Sequence, residues 1–514
     1  MQLVAYGAQD VYLTGNPQIT FWKVVYRRHT NFAVESIEQV FNGSGDFGKK
    51  VVCQIQRNGD LISKMYLRVN LPALGAGVAW TPKVGHAMIK TVELNIGGTT
   101  IDKHYGDWMN VWYELARKFA HDRGYDQMIG NTAELTASAV GTAAATLYIP
   151  LYFFCCRNDG LALPLIATQY HDTRIEVEFQ PLVNLVCGSG AASAPSATMG
   201  TCSLFVDYVY LDSEERKKFA QASHEYLIEQ VQFTGAESVI ASTATSNSKF
   251  RLNFNHPCKA LYWNLQADKF TTGNKFLAFN PKSWELTKIQ ATKRALLAFC
   301  TVSASTGLFT PIAGLSLDVS NALVAAKGVY MDISGTTGVS PTPFVNDAEG
   351  ITILGSLLPD ALVSMDVATF GSNAGVAATR NTGVGDGNAA NDVVVRQWDN
   401  YGMQLNRSVN PVSAVLLQLN GQDRFSKREG AYFNYVQPWQ CHSNTPTDGL
   451  NMYSFALNPE EHQPSGTCNM SRIDNATLNL DFAAGISASK CNIYATNYNV
   501  LRIMSGMAGL AYSN

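Results

Sequence analysis

Charge is what this sequence has least of. Only 15% of its 514 residues are Asp, Glu, Lys or Arg, against 46% that are hydrophobic; an ordinary soluble domain carries roughly 25% charged residues. The 38 basic and 41 acidic residues nearly cancel, leaving a formal net charge of −3. A protein that works by neutralising phosphates would be basic overall, so this balance argues against a nucleic-acid binder. The apolar content argues against a disordered chain, and 41 Gly with 18 Pro exclude a collagen-like one. Near-neutral proteins tend to associate, so the composition describes something other than a freely solvated monomer.

Catalytic and metal-binding patterns are also missing. The nine histidines lie at least 17 residues apart, which excludes H-E-x-x-H and local zinc-finger spacing. No G-x-S-x-G elbow occurs. Ten cysteines contain no C-x-x-C pair, and only Cys155 and Cys156 are close. The chain opens without a basic segment before an apolar run, so the thiols are expected to be reduced, buried small hydrophobes in a protein folded inside the cell. Gly43-Ser44-Gly45-Asp46-Phe47-Gly48-Lys49 fits G-x-G-x-x-G, but a phosphate site there needs a following helix. The continuation, residues 51–56, alternates like a strand, so the motif is read as a hairpin turn. Two uncharged stretches, 135–156 and 295–317, reach bilayer length, but their Thr, Ser, Gly and Pro indicate loop plus buried strand.

His224-Glu225 and Glu460-Glu461-His462 invite a catalytic reading, yet hydrogen bonding at a loop or strand edge accounts for them. Lys23 with Arg27-Arg28-His29, and Lys49-Lys50, read as contacts to a neighbour or as solvated positions. With the chain expected to fold inside the cell, the sequons at Asn42, Asn406, Asn469 and Asn475 read as chance matches unless a glycosylation system outside the secretory route acts on them. No catalytic, cofactor-binding or metal-ligating residue is assigned, and no cofactor is expected.

What is present is period two. Val92, Leu94 and Ile96 fall on one face, Gly97-Gly98 follows, and residues 99–103 return, which is a hairpin signature. Residues 175–179, 65–70, 204–211, 259–266, 414–419 and 497–503 also read as strands, separated by Gly, Asn and Pro turns. This pattern argues for antiparallel sandwiches. Helices are few. Residues 107–120 place Trp108, Val111, Trp112, Leu115 and Phe119 on one stripe. Asp212, with a capping-box acid at Glu215, opens a short charged helix before residues 224–233 begin a second strand-rich half. The halves echo each other: Leu94-Asn95 with Gly97-Gly98 resembles Leu419-Asn420-Gly421, and Tyr152-Phe153-Phe154 with a strand ending Phe179 resembles Tyr453-Ser454-Phe455 with one ending Phe482. That order favours two copies of one sandwich. Residues 301–390 hold seven acids and two bases among many Ser, Thr, Gly and Ala, and read as long surface loops.

Several blocks closely resemble the major capsid proteins of nucleocytoplasmic large DNA viruses. They include residues 5–10, 14–20, 26–32, 84–90, 101–108, 161–172, 211–230 and 254–257, then 420–433 with 453–473, and the tail 499–513. The resemblance implies an all-β double jelly roll of two eight-stranded antiparallel sandwiches. The expected division is an N-terminal extension (1–25), a first jelly roll (26–212), a linker helix (213–224) and a second jelly roll (225–514) with outward loops at 301–390. It implies a structural protein of the virion, not an enzyme, that self-assembles as pseudo-hexagonal homotrimers in an icosahedral shell built inside the host cell. The implied partners are the chain itself, minor capsid proteins and an internal membrane, with no transmembrane segment and no sequence-specific nucleic acid. The residues taken alone also fit a carbohydrate-binding or glycan-cleaving sandwich, or a minor capsid or scaffold paralogue on the same fold.

Overall fold

Strands form here because apolar and polar residues alternate, and alternate side chains of a strand point to opposite faces. Over Leu61–Leu71, Met65, Leu67, Val69 and Leu71 are buried while Lys64, Tyr66, Arg68 and Asn70 point away. The computed structural model describes residues 7–19, 21–22, 26, 28–75, 78–118, 121–136, 142–187, 197–268, 277, 279, 410–483, 486 and 488–512. It also describes four short strands, Cys300–Val302, Phe309–Pro311, Val363–Asp366 and Val394–Gln397.

Eight strands build the first sandwich: β1 (Phe32–Val40), β2 (Lys50–Gln54), β3 (Leu61–Leu71), β4 (Ile89–Ile96), β5 (Thr99–Tyr105), β6 (Ala145–Pro150), β7 (Thr173–Phe179) and β8 (Cys202–Leu211). They form two four-stranded antiparallel paths, β1-β8-β3-β6 and β2-β7-β4-β5. The second sandwich repeats this with β9 (His224–Phe233), β10 (Ser246–Arg251), β11 (Pro257–Ala267), β12 (Val412–Leu419), β13 (Gln422–Asp423), β14 (Leu450–Ser454), β15 (Ala476–Phe482) and β16 (Ser489–Met504). Its paths are β9-β16-β11-β14 and β10-β15-β12-β13. Strand for strand the two orders are the same, and each is a jelly roll, so the chain is an all-β double jelly roll. A short helix, Ser213–Gln221, joins them with no buried residue of its own. Asp212 caps it by accepting from the Ser213 N–H at 2.7 Å. The expected capping-box acid, Glu215, instead pairs with Lys218 at 3.1 Å, one turn on.

The echo between the halves is structural in detail. The β4–β5 turn is Gly97-Gly98 at φ 59° and 83°, and the β12–β13 turn is Asn420-Gly421 at φ 51° and 79°, the left-handed geometry of a two-residue hairpin. Each turn is tied to the residue just before the neighbouring strand: the Gly97 N–H donates to the Asp172 carbonyl (3.0 Å) and the Asn420 N–H to that of Asn475 (2.7 Å). Phe179 closes β7 opposite Ile89, and Phe482 closes β15 opposite Val412, each next to a bulge.

Helix α1 (Gly106–Ala116) leaves β5 directly. It is shorter than the 107–120 expected, because Arg117 turns extended (φ −65°, ψ 141°); Phe119 lies outside the described residues. Its predicted stripe of Trp108, Val111, Trp112 and Leu115 is buried, but in a cluster with Tyr262, Leu450, Met452 and Tyr494 of the second roll and not in its own. The uncharged stretch 135–156 contains β6 and runs into the short helix Phe154–Arg157. No helix among the described residues is long and apolar enough to cross a membrane. Of the cysteines whose side chains are described, eight are free thiols, four buried and four half-buried.

The two rolls share one backbone device. A Cβ on Gly106 would lie 2.3 Å from the carbonyl oxygens of His86 and Ile89, and one on Gly430 would lie 1.9 Å from that of Val412. Either Gly→Ala change should therefore lower stability by more than about 2 kcal/mol in denaturant titration. Gly124→Ala, in the helix Asp122–Ile129 with open space around it, should raise stability by about 0.5–1 kcal/mol.

Candidate functional site at the junction of the two rolls

The described residues with the densest polar chemistry lie where α1 crosses to the second roll. Trp108 meets Tyr262 edge-on at 5.1 Å and Tyr494 at 5.5 Å. Polar bonds lock the helix end across the junction. The Asn444 N–H donates to the Leu115 carbonyl at 3.0 Å. The Glu114 carboxylate accepts from Lys83 Nζ at 2.6 Å, and from the Thr447 N–H and hydroxyl at 2.9 and 2.6 Å. Burial alone would raise the Glu114 pKa, but the Lys83 ammonium and the Thr447 bonds hold it below the usual range.

A buried ion cluster sits beside the helix. Glu229 on β9 receives Lys259 Nζ at 2.7 Å and Arg157 at 2.7 Å, with His462 at 3.6 Å. Lys259 is 1% exposed; it occupies the β11 bulge between Cys258 and Ala260, and its ammonium also donates to the Glu461 carbonyl at 2.6 Å. Arg157 lies 4.1 Å over the Trp112 ring, so its guanidinium joins the ion cluster to the apolar one. Burial opposes the Glu229 charge, yet Arg157, His462 and Lys259 together bring its pKa down to about 2. Burial pushes the Lys259 ammonium down against the pull of Glu229. A second thread runs from β5 to β9, where the Val231 N–H donates to Asp102 at 3.1 Å, Asp102 contacts His104 at 2.8 Å, and the Gln230 amide donates to the Ile101 carbonyl.

An open cleft of about 780 Å³ lies over this junction, lined by residues including Lys64, Tyr66, Trp112, Arg157, Glu229 and His462. Its chemistry suits fastening better than catalysis. A general acid or base works best with a pKa near the operating pH, and Glu229 at about 2 is far from it. The fully buried His86 is held neutral, its pKa pushed down to about 3 by desolvation and by Lys83. Among the described residues no group of three or more His, Cys, Asp or Glu is placed to hold a metal ion.

The residues singled out in the sequence fall as follows. Residues 43–50 form a turn after the Asn42–Val52 bridge, held by Asp46 accepting from the Phe47 and Met199 N–H groups (2.9 and 3.0 Å), and lead into a strand. Because β1 and β2 lie in opposite sheets, the turn is a crossing between sheets and not a simple hairpin. His224 bonds the Phe219 carbonyl at 2.8 Å, and Glu225 pairs with Arg502 at 2.7 Å. Glu460 accepts from the Ser443 N–H at 2.7 Å and pairs with His442 at 2.8 Å. Lys49 and Lys50 pair with Asp46 (3.4 Å) and Glu176 (2.7 Å); Lys23, Arg27 and Asn406 lie outside the described residues. Sequence reasoning missed Lys259, Glu229 and Glu114. The one available signal was a lysine opening the apolar run Ala260-Leu261-Tyr262-Trp263, where only a buried counter-ion could tolerate it.

Two tandem jelly rolls fastened by a buried junction define a double jelly-roll structural protein. The family described as "Large eukaryotic DNA virus major capsid protein" matches residues 215–509, and "Major capsid protein N-terminus" matches 20–212. The chain therefore belongs to the major capsid proteins of large eukaryotic DNA viruses, structural proteins of the virion capsid. It is 43% identical to the major capsid protein of Phaeocystis pouchetii virus and 41% identical to capsid protein 1 of Acanthamoeba polyphaga mimivirus, each over 100% of this chain and 99% of the relative. Among solved structures it superposes on a chain of the PBCV-1 virus capsid at TM-score 0.67 and 33% identity, covering 96% of this chain and 100% of that one. The Faustovirus major capsid protein shares the fold at TM-score 0.62 and 12% identity, covering 97% and 94%.

Glu229 titrates lower in the folded protein, at about 2, than its usual 4.5. Its contribution, about 3 kcal/mol, is therefore complete above pH 4.5 and is lost as pH falls towards 2. Glu229→Gln leaves Lys259 and Arg157 without their carboxylate and should cost about 3–5 kcal/mol at pH 7. In urea melts the wild-type advantage over E229Q should shrink towards zero between pH 4.5 and 2. A pH-independent difference would contradict the ion cluster's role.

Proposed function

We propose that this chain is the repeating tile of an icosahedral shell, three copies forming a pseudo-hexagonal capsomer, and that it performs no chemistry. The observation that carries this is the internal duplication: both rolls have one strand order, one turn geometry and one helix-opening glycine. Three chains with two such rolls each present six similar units, which pack around a three-fold axis as a near-hexagon. The low charge supports the reading, because neutral polar surface is covered by a neighbour at less desolvation cost than charged surface.

We assign residues 26–212 and 225–514 to the two rolls and 213–224 to the linker. Residues 301–390 are assigned to the outward loops, since they fall in the connection from β11 to β12. Residues 1–25 are assigned to the underside of the shell, towards minor capsid proteins or an internal membrane. In support, Tyr12, Leu13, Ile19, Phe21 and Trp22 are each more than 80% exposed, an apolar display that suits a partner surface.

Mass measurement of the purified protein should give about three times the 56.0 kDa chain; a monomer that binds glycan would sink the assembly reading. Limited proteolysis of intact particles should cut first within 301–390. Preferred cutting within 1–25 would reverse the two placements.

A further inference from the structure

Helix α1, whose stripe docks on the second roll, has a twin whose stripe is open at its far end. After β13, residues 430–441 run helically, with a π-turn at Tyr432–Val436 followed by Gln437–Cys441. The two helices align residue by residue from their opening glycines. Gly106 matches Gly430, and Met109 matches Phe433, both fully buried. Asn110 matches Asn434, both fully buried asparagines. In this register the docking positions Trp108, Val111, Trp112 and Leu115 correspond to Tyr432, Tyr435, Val436 and Trp439. The first four are 1–7% exposed. Of the second four, Tyr432 and Tyr435 are half-buried, Val436 is 39% exposed and Trp439 is 75% exposed.

The receiving faces are duplicated too. In the second roll, α1 sits on Tyr262 and Tyr494, cross-strand partners on β11 and β16, each 1% exposed. The corresponding pair on β3 and β8 of the first roll is Tyr66 opposite Phe205. These rings stack at 5.2 Å with Tyr148 edge-on at 6.1 Å, yet Tyr66 and Phe205 are only half-buried and Tyr148 is 39% exposed. An aromatic row that is sealed in one roll is open in the other.

We propose that a second copy of this chain closes both: the Tyr432–Trp439 stripe of one copy docks on the outer face of β3, β8 and β6 in the next. Within the chain, the helix of the first roll, α1, lies on the sheet β9-β16-β11-β14 of the second, and the operation that carries the first roll onto the second carries α1 onto its twin. Repeating it places the second roll's helix on the sheet β1-β8-β3-β6 of a neighbouring chain, and six such steps close a ring of three chains. The interface between copies is then a repeat of the junction inside each copy, with Trp439 as its anchor, the kind of large aromatic that dominates protein interfaces. This rests on the self-assembly reading above.

The test compares wild type with Trp439→Asp and Tyr148→Asp by light scattering and thermal melting, with Leu457→Asp and Ile240→Asp, at residues 75% and 85% exposed, as surface controls. W439D and Y148D should lose the three-chain mass and appear at one chain mass, with W439D melting as cooperatively as wild type; both controls should keep the three-chain mass. A benzophenone side chain at position 439 should crosslink to peptides containing residues 61–71, 145–150 or 202–211 of another copy. Three-chain W439D, or crosslinks confined to other segments, would overturn this docking and leave self-assembly standing. A monomeric wild type would overturn both.

Discussion

The structure depends on covering a sheet that is buried on both faces. A sandwich buries only the inner face of each sheet, and the outer face ordinarily meets water. In β11 every residue after Pro257 is buried, which is possible only because α1 leaves the first roll and lies across the second. From that single docking the rest of the junction follows. Once α1 excludes water, the lysine at the β11 bulge is buried with it, and an uncompensated ammonium there is intolerable. Glu229 and the Glu461 carbonyl supply the compensation, Arg157 and His462 pair with Glu229 in turn, and the Arg157 guanidinium stacks on Trp112 of the same helix. Buried ion pairs contribute little net stability but are costly to leave half-made, so the cluster acts mainly to fix how the rolls meet.

The duplication extends to places where backbone geometry leaves no choice. A glycine must open each helix because carbonyls at and just before the start of β4 (Ile89 and His86) and at the start of β12 (Val412) leave no room for a Cβ. A left-handed pair must close each hairpin, and both rolls use Gly or Asn-Gly there. Side chains not so constrained differ in part: β16 carries Tyr494 where β8 carries Phe205, while β11 and β3 both carry a tyrosine, Tyr262 and Tyr66. The low overall charge fits the same picture, since surfaces that meet neighbours are easier to desolvate when neutral.

Much of this was legible in the residues. The alternation of Val92, Leu94 and Ile96, the Gly97-Gly98 turn and the strand ending Phe179 are local signals with one solution each, and they lie where the pattern put them. The stripe of Trp108, Val111, Trp112 and Leu115 was equally plain. Its destination was not, because periodicity reports that a face is buried and not against what. The helix end was overestimated for a related reason: Arg117 and Lys118 are good helix formers, but the chain turns extended at Arg117 as the Asn444 amide side chain bonds its carbonyl. The capping-box reading of Glu215 yielded to an equally local competitor, Lys218 at one turn's distance.

By itself the sequence determined the strands, the tight turns, the two-fold repetition and the near-neutral balance, all properties of neighbouring residues or of composition. Tertiary structure alone decided that Lys259 meets Glu229 30 residues before it, that Glu114 meets Thr447, and that one helix stripe is sealed while its twin lies open. These depend on which surfaces are brought together across hundreds of residues. Contact of that kind is set by the packing of two whole rolls, for which a single stretch of sequence carries no signal.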